Sequence, residues 1–264
     1  MKINYVSLCS GYGAECVAFK RLQRTFPDFD FELLAWSEYD PDNPKPVDFQ
    51  PAVMAHNALH PESAHLNLGN LITADWGGWF ESAGRPRIDF MLASTPCQSV
   101  SNAGKNEGMK KGTDAASALI WATEKVIDTL KPTIVMFENV KGMVSKRNRP
   151  DFDAWCEVLH NLGYVTQWQI LNAKDYGEAQ NRERVFLIAI RAEDERAGKY
   201  NYPKPFPLTL CVEDYMVPIE EVPEDAFIDD KLITEKVLSD MLDQKNVMEE
   251  LTDLYHEEWQ SKLF

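Results

Sequence analysis

Strand-like and helix-like segments alternate along the first 190 residues of this 264-residue chain, and polar residues follow the strand-like segments. Short apolar or β-branched runs predict strands, whereas apolar residues spaced three or four apart predict helices. This order is typical of an open α/β sheet, mostly parallel, with helices on both faces. The predicted strands are 5–8, 31–37, 88–93 and 133–137, then an antiparallel pair at 165–171 and 185–190, and the predicted helices are 15–24, 53–59, 115–130 and 152–162.

A glycine turn follows the first predicted strand, and a glutamate follows the second. The turn reads Ser10-Gly11-Tyr12-Gly13, and Glu38 ends the run 31–37. Glycines let a ligand approach the backbone closely, and a strand-end carboxylate can accept both hydroxyls of a ribose. A plain tight turn and a solvated acid are the alternative interpretations. Together, the two features favour an adenosine cofactor lying across the sheet edge.

Pro96-Cys97 follows the third predicted strand and opens a polar loop. Proline fixes its own φ just before the thiol, and α/β sheets place their chemistry at this edge. An ordinary buried cysteine is the alternative interpretation, and for Cys97 alone it is the better one. Three other segments complete a site around the thiol, so we expect a nucleophile.

Glu138 ends the fourth predicted strand, and Arg182 and Arg184 open the last one. Partial desolvation is expected to raise the pKa of the Glu138 carboxyl, so that it can share a proton near neutral pH. Strand alternation places both arginines on one face and Glu183 on the other. Salt-bridging arginines and solvated basic loops are the alternative interpretations. A basic rim suited to phosphates is predicted at this edge from Lys105, Lys110, Lys111, Lys146, Arg147 and Arg149.

Composition excludes two classes of protein. No apolar stretch approaches the roughly 20 residues that span a bilayer, so a membrane protein is not expected. The five cysteines are scattered and lack CxxC spacing, so neither a disulfide framework nor a zinc site is expected. These features indicate a protein of the reducing cytoplasm.

Charge divides the chain into two parts. Residues 192–264 carry 19 acidic and 7 basic side chains, whereas residues 1–191 carry 23 and 20. The first part can therefore meet nucleic acid through a local basic patch, and the acidic part would repel it. We expect a catalytic and cofactor-binding domain at 1–200, then a stiff linker and an acidic, partly helical segment at 201–264.

The motifs together resemble those of the DNA cytosine-5 methyltransferases. Around Leu8–Gly11 the sequence is most similar to phage and prophage members of that family. The resemblance covers roughly residues 3–191 and implies a Rossmann-like, S-adenosylmethionine-dependent fold. The matching motifs are Ser7–Gly13, Glu38, Thr95–Gln98 with Ser101, Glu138–Val140 and Gln180–Arg184.

The resemblance implies a base-flipping methyl transfer. The Cys97 thiolate would attack C6 of an extruded cytosine, Glu138 would hold N3 and the exocyclic amine, and Arg182 would contact O2. C5 would then take the methyl group of S-adenosyl-L-methionine, leaving S-adenosyl-L-homocysteine. Splitting one difficult step into two easier ones is the purpose of such a covalent adduct.

The resemblance also assigns residues to three roles. Catalysis would use Cys97, Glu138, Arg182 and Arg184; the cofactor would be held by Leu8, Cys9, Ser10, Gly11, Gly13, Glu38, Asn70, Leu71 and Pro96; and DNA would be contacted by Gln98, Ser101, Lys105 and Gln180. The chain departs from the family's usual pattern in the cofactor turn, where Ser7 replaces an aspartate and Cys9 an aromatic residue. Asn70 stands where an aspartate is often found.

The segment up to Met216 resembles the one that precedes the family's DNA-reading domain, and 48 residues follow it. We therefore expect a second subunit that supplies target recognition to this catalytic part, in the cytoplasm of a bacterium or a phage-infected host. Two alternatives stay open at this point. One is a tRNA cytosine-5 methyltransferase, and the other is a non-catalytic relative that binds a partner or mimics DNA.

Overall fold

A computed structural model describes residues 1–96, 115–206 and 208, excluding the side chains of 115–118. Its centre is one sheet of six strands in the order β2-β1-β3-β4-β6-β5. The strands are β1 (Lys2–Leu8), β2 (Asp30–Ser37), β3 (Phe90–Ala93), β4 (Ile134–Val140), β5 (Tyr164–Asn172) and β6 (Glu183–Arg191).

The first four strands are parallel to one another, and β6 runs antiparallel to both β4 and β5. The predicted mostly parallel sheet and its late antiparallel pair are therefore confirmed. β4 runs three residues beyond the predicted limit at Phe137, because β6 continues to pair with it as far as Val140 opposite Arg184. Glu138 consequently lies inside a paired strand, where the backbone holds it firmly.

The helices are α1 (Ala14–Thr25), α2 (Pro51–Leu59), α3 (Trp76–Ser82), α4 (Ala115–Leu130) and α5 (Arg149–Asn161). Sequence patterning missed α3, since Gly77 and Gly78 weaken any helical signal. Asp75 starts this helix by accepting a hydrogen bond from the Gly78 amide at 2.8 Å. None of the helices in the described ranges is both long and apolar enough to cross a membrane.

Helices cover both faces of the sheet, as predicted. On one face, α3, α4 and α5 pack on the larger core, where Phe137 and Trp155 are fully buried. On the other face, α1 covers a smaller cluster built around Tyr5, Cys16 and Leu92. Aromatic rings extend this cluster, with Phe19 4.4 Å from Tyr5 between centroids.

The two faces of β4 differ in burial. Val135, Phe137 and Asn139 are buried, whereas Met136 and Glu138 are half-buried on the opposite face. This alternation follows from the two-residue period of a strand. Glu138 therefore shares the α1 side of the sheet, and Asn139 points into the interior.

The segment up to Phe206, predicted as a stiff linker, lies along the antiparallel strands. The Tyr202 hydroxyl is 2.9 Å from the carbonyl oxygens of both Gln167 and Phe186, and Nε2 of the Gln167 side chain donates to the Tyr200 carbonyl at 3.1 Å. The Phe206 amide donates to the Asp175 carbonyl at 2.9 Å. Hydrogen bonds with β5, β6 and Asp175 thus hold this segment in place, and the predicted domain limits stay a prediction.

Candidate active site

The glycine turn joins β1 to α1 and requires left-handed backbone at three residues. The φ angles are 54° at Cys9, 60° at Gly11 and 80° at Gly13. Glycine adopts such angles without strain, whereas Cys9 bears a small cost. The Ser10 amide donates to the Ser37 carbonyl at 3.0 Å, so the turn is attached to the end of β2.

Glu38 is joined directly to this turn. The Gly11 amide donates to Oε2 of Glu38 at 2.7 Å, and the Glu38 amide donates to Oδ1 of Asn67 at 3.1 Å. Burial raises the pKa of the Glu38 carboxyl, and the backbone amides of Gly11 and Tyr39 oppose that rise. The carboxylate is thus held by neutral dipoles.

A second carboxylate lies at the same turn. The Ser10 hydroxyl donates to Oε1 of Glu15, in the first turn of α1. Burial, and to a smaller extent Glu38, raises the pKa of the Cys9 thiol to about 12, so this cysteine stays protonated. The turn is therefore flanked by negative charge, which opposes a phosphate and favours a ligand with a positive centre.

Two histidines form the floor of the turn, and sequence analysis missed both. A Cβ built on Gly13 would lie 2.7 Å from the ring of His60 and 2.8 Å from that of His56. Both rings are buried, and His56 stacks on Trp36 with centroids 3.6 Å apart. Their four-residue spacing is a visible signal, but nothing in the sequence connects it to residue 13.

Glu138 and Arg184 form an ion pair across β4 and β6. The Arg184 Nε atom lies 3.1 Å from Oε1 of Glu138, and both side chains are about three-quarters buried. Burial raises the pKa of the Glu138 carboxyl, and the charges of Arg184 and Arg182 oppose that rise. The expected direction is confirmed. Glu183 points away and pairs with Lys141 at 2.9 Å, as the alternation predicted.

Asn139 anchors the exit of β3. Its Nδ2 atom donates to the Thr95 carbonyl at 3.0 Å, and the Ser94 amide donates to the Leu8 carbonyl at 3.1 Å. Pro96 follows at once, and Cys97 is the next residue in the chain. Asn139 therefore fixes the point from which the cysteine loop departs, a role that its position in a motif did not reveal.

A cleft of about 720 Å³ connects these parts. It runs from the glycine turn past Pro96 to the Glu138–Arg184 pair, over apolar side chains of β3 and β4. Among the sequence-predicted site residues, it brings together Ser10, Gly11, Pro96, Glu138, Arg182 and Arg184.

Of the other predicted residues, those that the structure describes do not line this cleft. Leu8 and Leu71 belong to the larger core, Gln180 is exposed, and the Asn70 side chain accepts a hydrogen bond from the Ile72 amide at 2.9 Å. Cys9, Gly13 and Glu38 lie at the turn but are not among the residues that line the cleft. Cys97, Gln98, Ser101 and Lys105 lie outside the described residues.

The sequence matches the family model described as C-5 cytosine-specific DNA methylase over residues 3–263. The chain belongs to this family. The match includes all of the turn, the ion pair and the cleft.

Two curated relatives of the methylase family illustrate the similarity. The type II methyltransferase M2.ScrFI of Lactococcus lactis subsp. cremoris is 37% identical over 158 residues, which are 60% of this chain and 42% of that protein. The orphan methyltransferase M.SPBetaI of Bacillus phage SPbeta is 28% identical over 222 residues, covering 73% of this chain and 46% of that protein. The matched region thus spans less than half the length of each of these relatives.

The fold of this chain is also found in solved structures. The Entamoeba histolytica methyltransferase EhMeth aligns with a TM-score of 0.62 at 18% identity, covering 89% of this chain and 66% of that one. This likeness shows a Rossmann-like methyltransferase fold, as expected.

Proposed function

We propose that the protein transfers a methyl group from S-adenosyl-L-methionine to C5 of cytosine in DNA. The observation that carries the proposal is the single cleft between the glycine turn and the Glu138–Arg184 pair, with Pro96 on its wall. A cofactor at the turn and a base at the ion pair would then meet beside Cys97.

The residues of the turn fit this cofactor. No described atom lies within 4 Å of a Cβ built on Gly11, so the backbone there is open to a ligand. Glu15 and Glu38 supply negative charge, which suits a ligand that carries a sulfonium and an ammonium group. When bound, the cofactor supplies an electrophilic methyl group. Gly11 and Ser10 would face it, and Glu38 would accept hydrogen bonds from ribose hydroxyls.

Cys97 would make the pyrimidine ring reactive. Addition of its thiolate to C6 places electron density on C5, which is otherwise a poor nucleophile. After C5 is methylated, a base removes the C5 proton and the thiolate leaves C6. The flipped base must enter the cleft for this reaction, because the ring is shielded inside a stacked duplex.

Glu138, Arg182 and Arg184 would hold the base during this reaction. A carboxyl group with a raised pKa can share a proton with N3 and accept from the exocyclic amine. Arg182 is exposed at the cleft, so its guanidinium is available to the O2 carbonyl. Arg184 would keep the Glu138 carboxyl in place through the contact at 3.1 Å.

Methyl transfer tests the proposal. Full-length protein, together with a second subunit if one is found, is incubated with DNA and a cofactor labelled in its methyl group, and the nucleosides are then separated. We expect label in 5-methylcytosine with the wild type and a loss of more than about 10³-fold with Cys97→Ser. Equal label with both proteins would contradict the proposal, as would label in RNA but not in DNA.

The second subunit expected from the sequence stays a prediction. If it exists, the chain alone transfers little methyl and the added subunit restores transfer. Full activity of the chain by itself would contradict that prediction.

A further inference from the structure

We infer that His60 is a positioning residue for the cofactor turn, acting through a relay from Lys20 to the Gly13 carbonyl. The inference rests on the proposed use of S-adenosylmethionine at this turn. It concerns a side chain that lies 47 residues away from Gly13 along the chain.

The relay consists of two hydrogen bonds of equal length. The Lys20 Nζ atom is 3.1 Å from Nδ1 of His60, and Nε2 of His60 is 3.1 Å from the Gly13 carbonyl oxygen. His60 is 2% exposed, so its ring has little access to water.

The chemistry of the two end groups decides the tautomer. A lysine ammonium can only donate, and a carbonyl can only accept. Nδ1 must therefore be the unprotonated nitrogen, and Nε2 must carry the hydrogen. In this form His60 is neutral and donates towards Gly13, whereas the other tautomer would leave the Gly13 contact without a proton.

The Gly13 carbonyl also begins α1. It accepts from the Cys16 amide at 3.0 Å and is 3.4 Å from the Val17 amide. His60 therefore acts on the one carbonyl that joins the turn to its helix. The close fit of Gly13 against the rings of His60 and His56 leaves the turn little freedom to move towards the histidines. Together these contacts set where Gly11 presents its backbone.

The first test is affinity for S-adenosyl-L-homocysteine, measured by calorimetry on the full-length protein. Loss of one buried hydrogen bond corresponds to roughly fivefold to tenfold in affinity. We expect His60→Leu to raise the Kd by that factor and His60→Gln, which keeps a donor, to restore most of it. Lys20→Met should raise the Kd by a smaller factor, because it removes the group that selects the tautomer.

Glu62→Gln is the matched control. Glu62 pairs with the same Lys20 at 2.7 Å but is exposed and does not contact the turn. Its variant should bind like the wild type. With labelled cofactor, the variants of His60 and Lys20 should raise KM for the cofactor and leave kcat nearly unchanged.

Nitrogen NMR of the histidine rings reads the tautomer directly, and the hydrogen should be on Nε2 of His60. A hydrogen on Nδ1 would overturn the inference. So would equal Kd values for wild type, Lys20→Met and Glu62→Gln, a comparison that holds even if His60→Leu fails to fold. Wild-type protein that binds no S-adenosylhomocysteine would instead overturn the proposed function.

Discussion

Two half-buried carboxylates, one at the glycine turn and one in the cleft, are held by different partners. Glu38 accepts a hydrogen bond from the Gly11 amide, whereas Glu138 contacts the guanidinium of Arg184. Burial raises both pKa values. Neutral amides orient a carboxylate without cancelling its charge, so Glu38 still attracts a cationic ligand. A guanidinium balances the charge, so Glu138 can approach a neutral base.

The two ends are also supported differently. β6 pairs with β4 on both sides of Glu138, so a regular ladder holds the ion pair. The glycine turn packs against a less regular region. There the Gln50 side chain accepts a hydrogen bond from the Asp40 amide and donates one to the Asp40 carbonyl. We therefore expect the reaction rate to be sensitive to single side chains at the ion pair. Cofactor affinity should instead be sensitive to backbone geometry at the glycine turn.

The largest difference is expected between Glu138→Gln and Glu38→Gln. Glu138→Gln should lower kcat by about 10²-fold to 10⁴-fold, because it removes a proton-sharing group. Glu38→Gln should instead raise the Kd for S-adenosylhomocysteine by roughly tenfold, the effect of one charge-assisted hydrogen bond. Rate and calorimetric measurements on both variants check this division. Similar changes in kcat and Kd for both variants would contradict this division of roles.

Gly13→Ala and Gly11→Ala sharpen the comparison within the turn. Both residues have positive φ, which costs about 1–2 kcal/mol for alanine. At Gly13 the new Cβ would also meet the His60 ring at 2.7 Å, adding about 1–3 kcal/mol of overpacking. Chemical denaturation should show the larger loss of stability for Gly13→Ala. Equal losses would mean that the histidines do not confine the turn.

Acid should weaken the histidine floor. Burial is the main cause that lowers the pKa of His56 to about 4 from its ordinary 6.5. The unfolded chain therefore takes up a proton first as the pH falls, and stability is lost progressively from pH 6.5 to about 4. The loss amounts to about 3 kcal/mol when complete. Unfolding curves measured across this pH range should show the loss of stability. The His56→Phe variant should lack the part of the loss that comes from His56. If its stability depends on pH as steeply as that of the wild type, the prediction is wrong.

The smallest effect is expected outside the cleft. Lys141 and Glu183 form an exposed pair on the far side of β6. Lys141→Met should change the free energy of unfolding by less than about 1 kcal/mol, because water screens such pairs. A larger change, measured by chemical denaturation, would show that this ion pair contributes more to stability than its exposure suggests.

The sequence predicted the sheet well because burial leaves a periodic pattern within each element. α4 has the predicted limits, 115–130, and Arg182 and Arg184 were expected on one face of their strand with Glu183 on the other. It did not predict contacts between segments that are distant along the chain. His60 reaches Gly13 through the fold of the segment 40–66, and Asn139 in β4 reaches Thr95 just beyond the neighbouring strand β3. No local sequence pattern predicts either contact.

Formation of a covalent adduct tests the central claim most directly. DNA containing 5-fluorocytosine at the target is incubated with S-adenosylmethionine and full-length protein, together with a second subunit if one is found. Fluorine at C5 cannot leave as a proton does, so the bond between the thiol and C6 should persist through denaturing electrophoresis. We predict an adduct with the wild type and none with Cys97→Ser. An adduct that survives in Cys97→Ser, or methylated cytosine formed without one, would contradict the account.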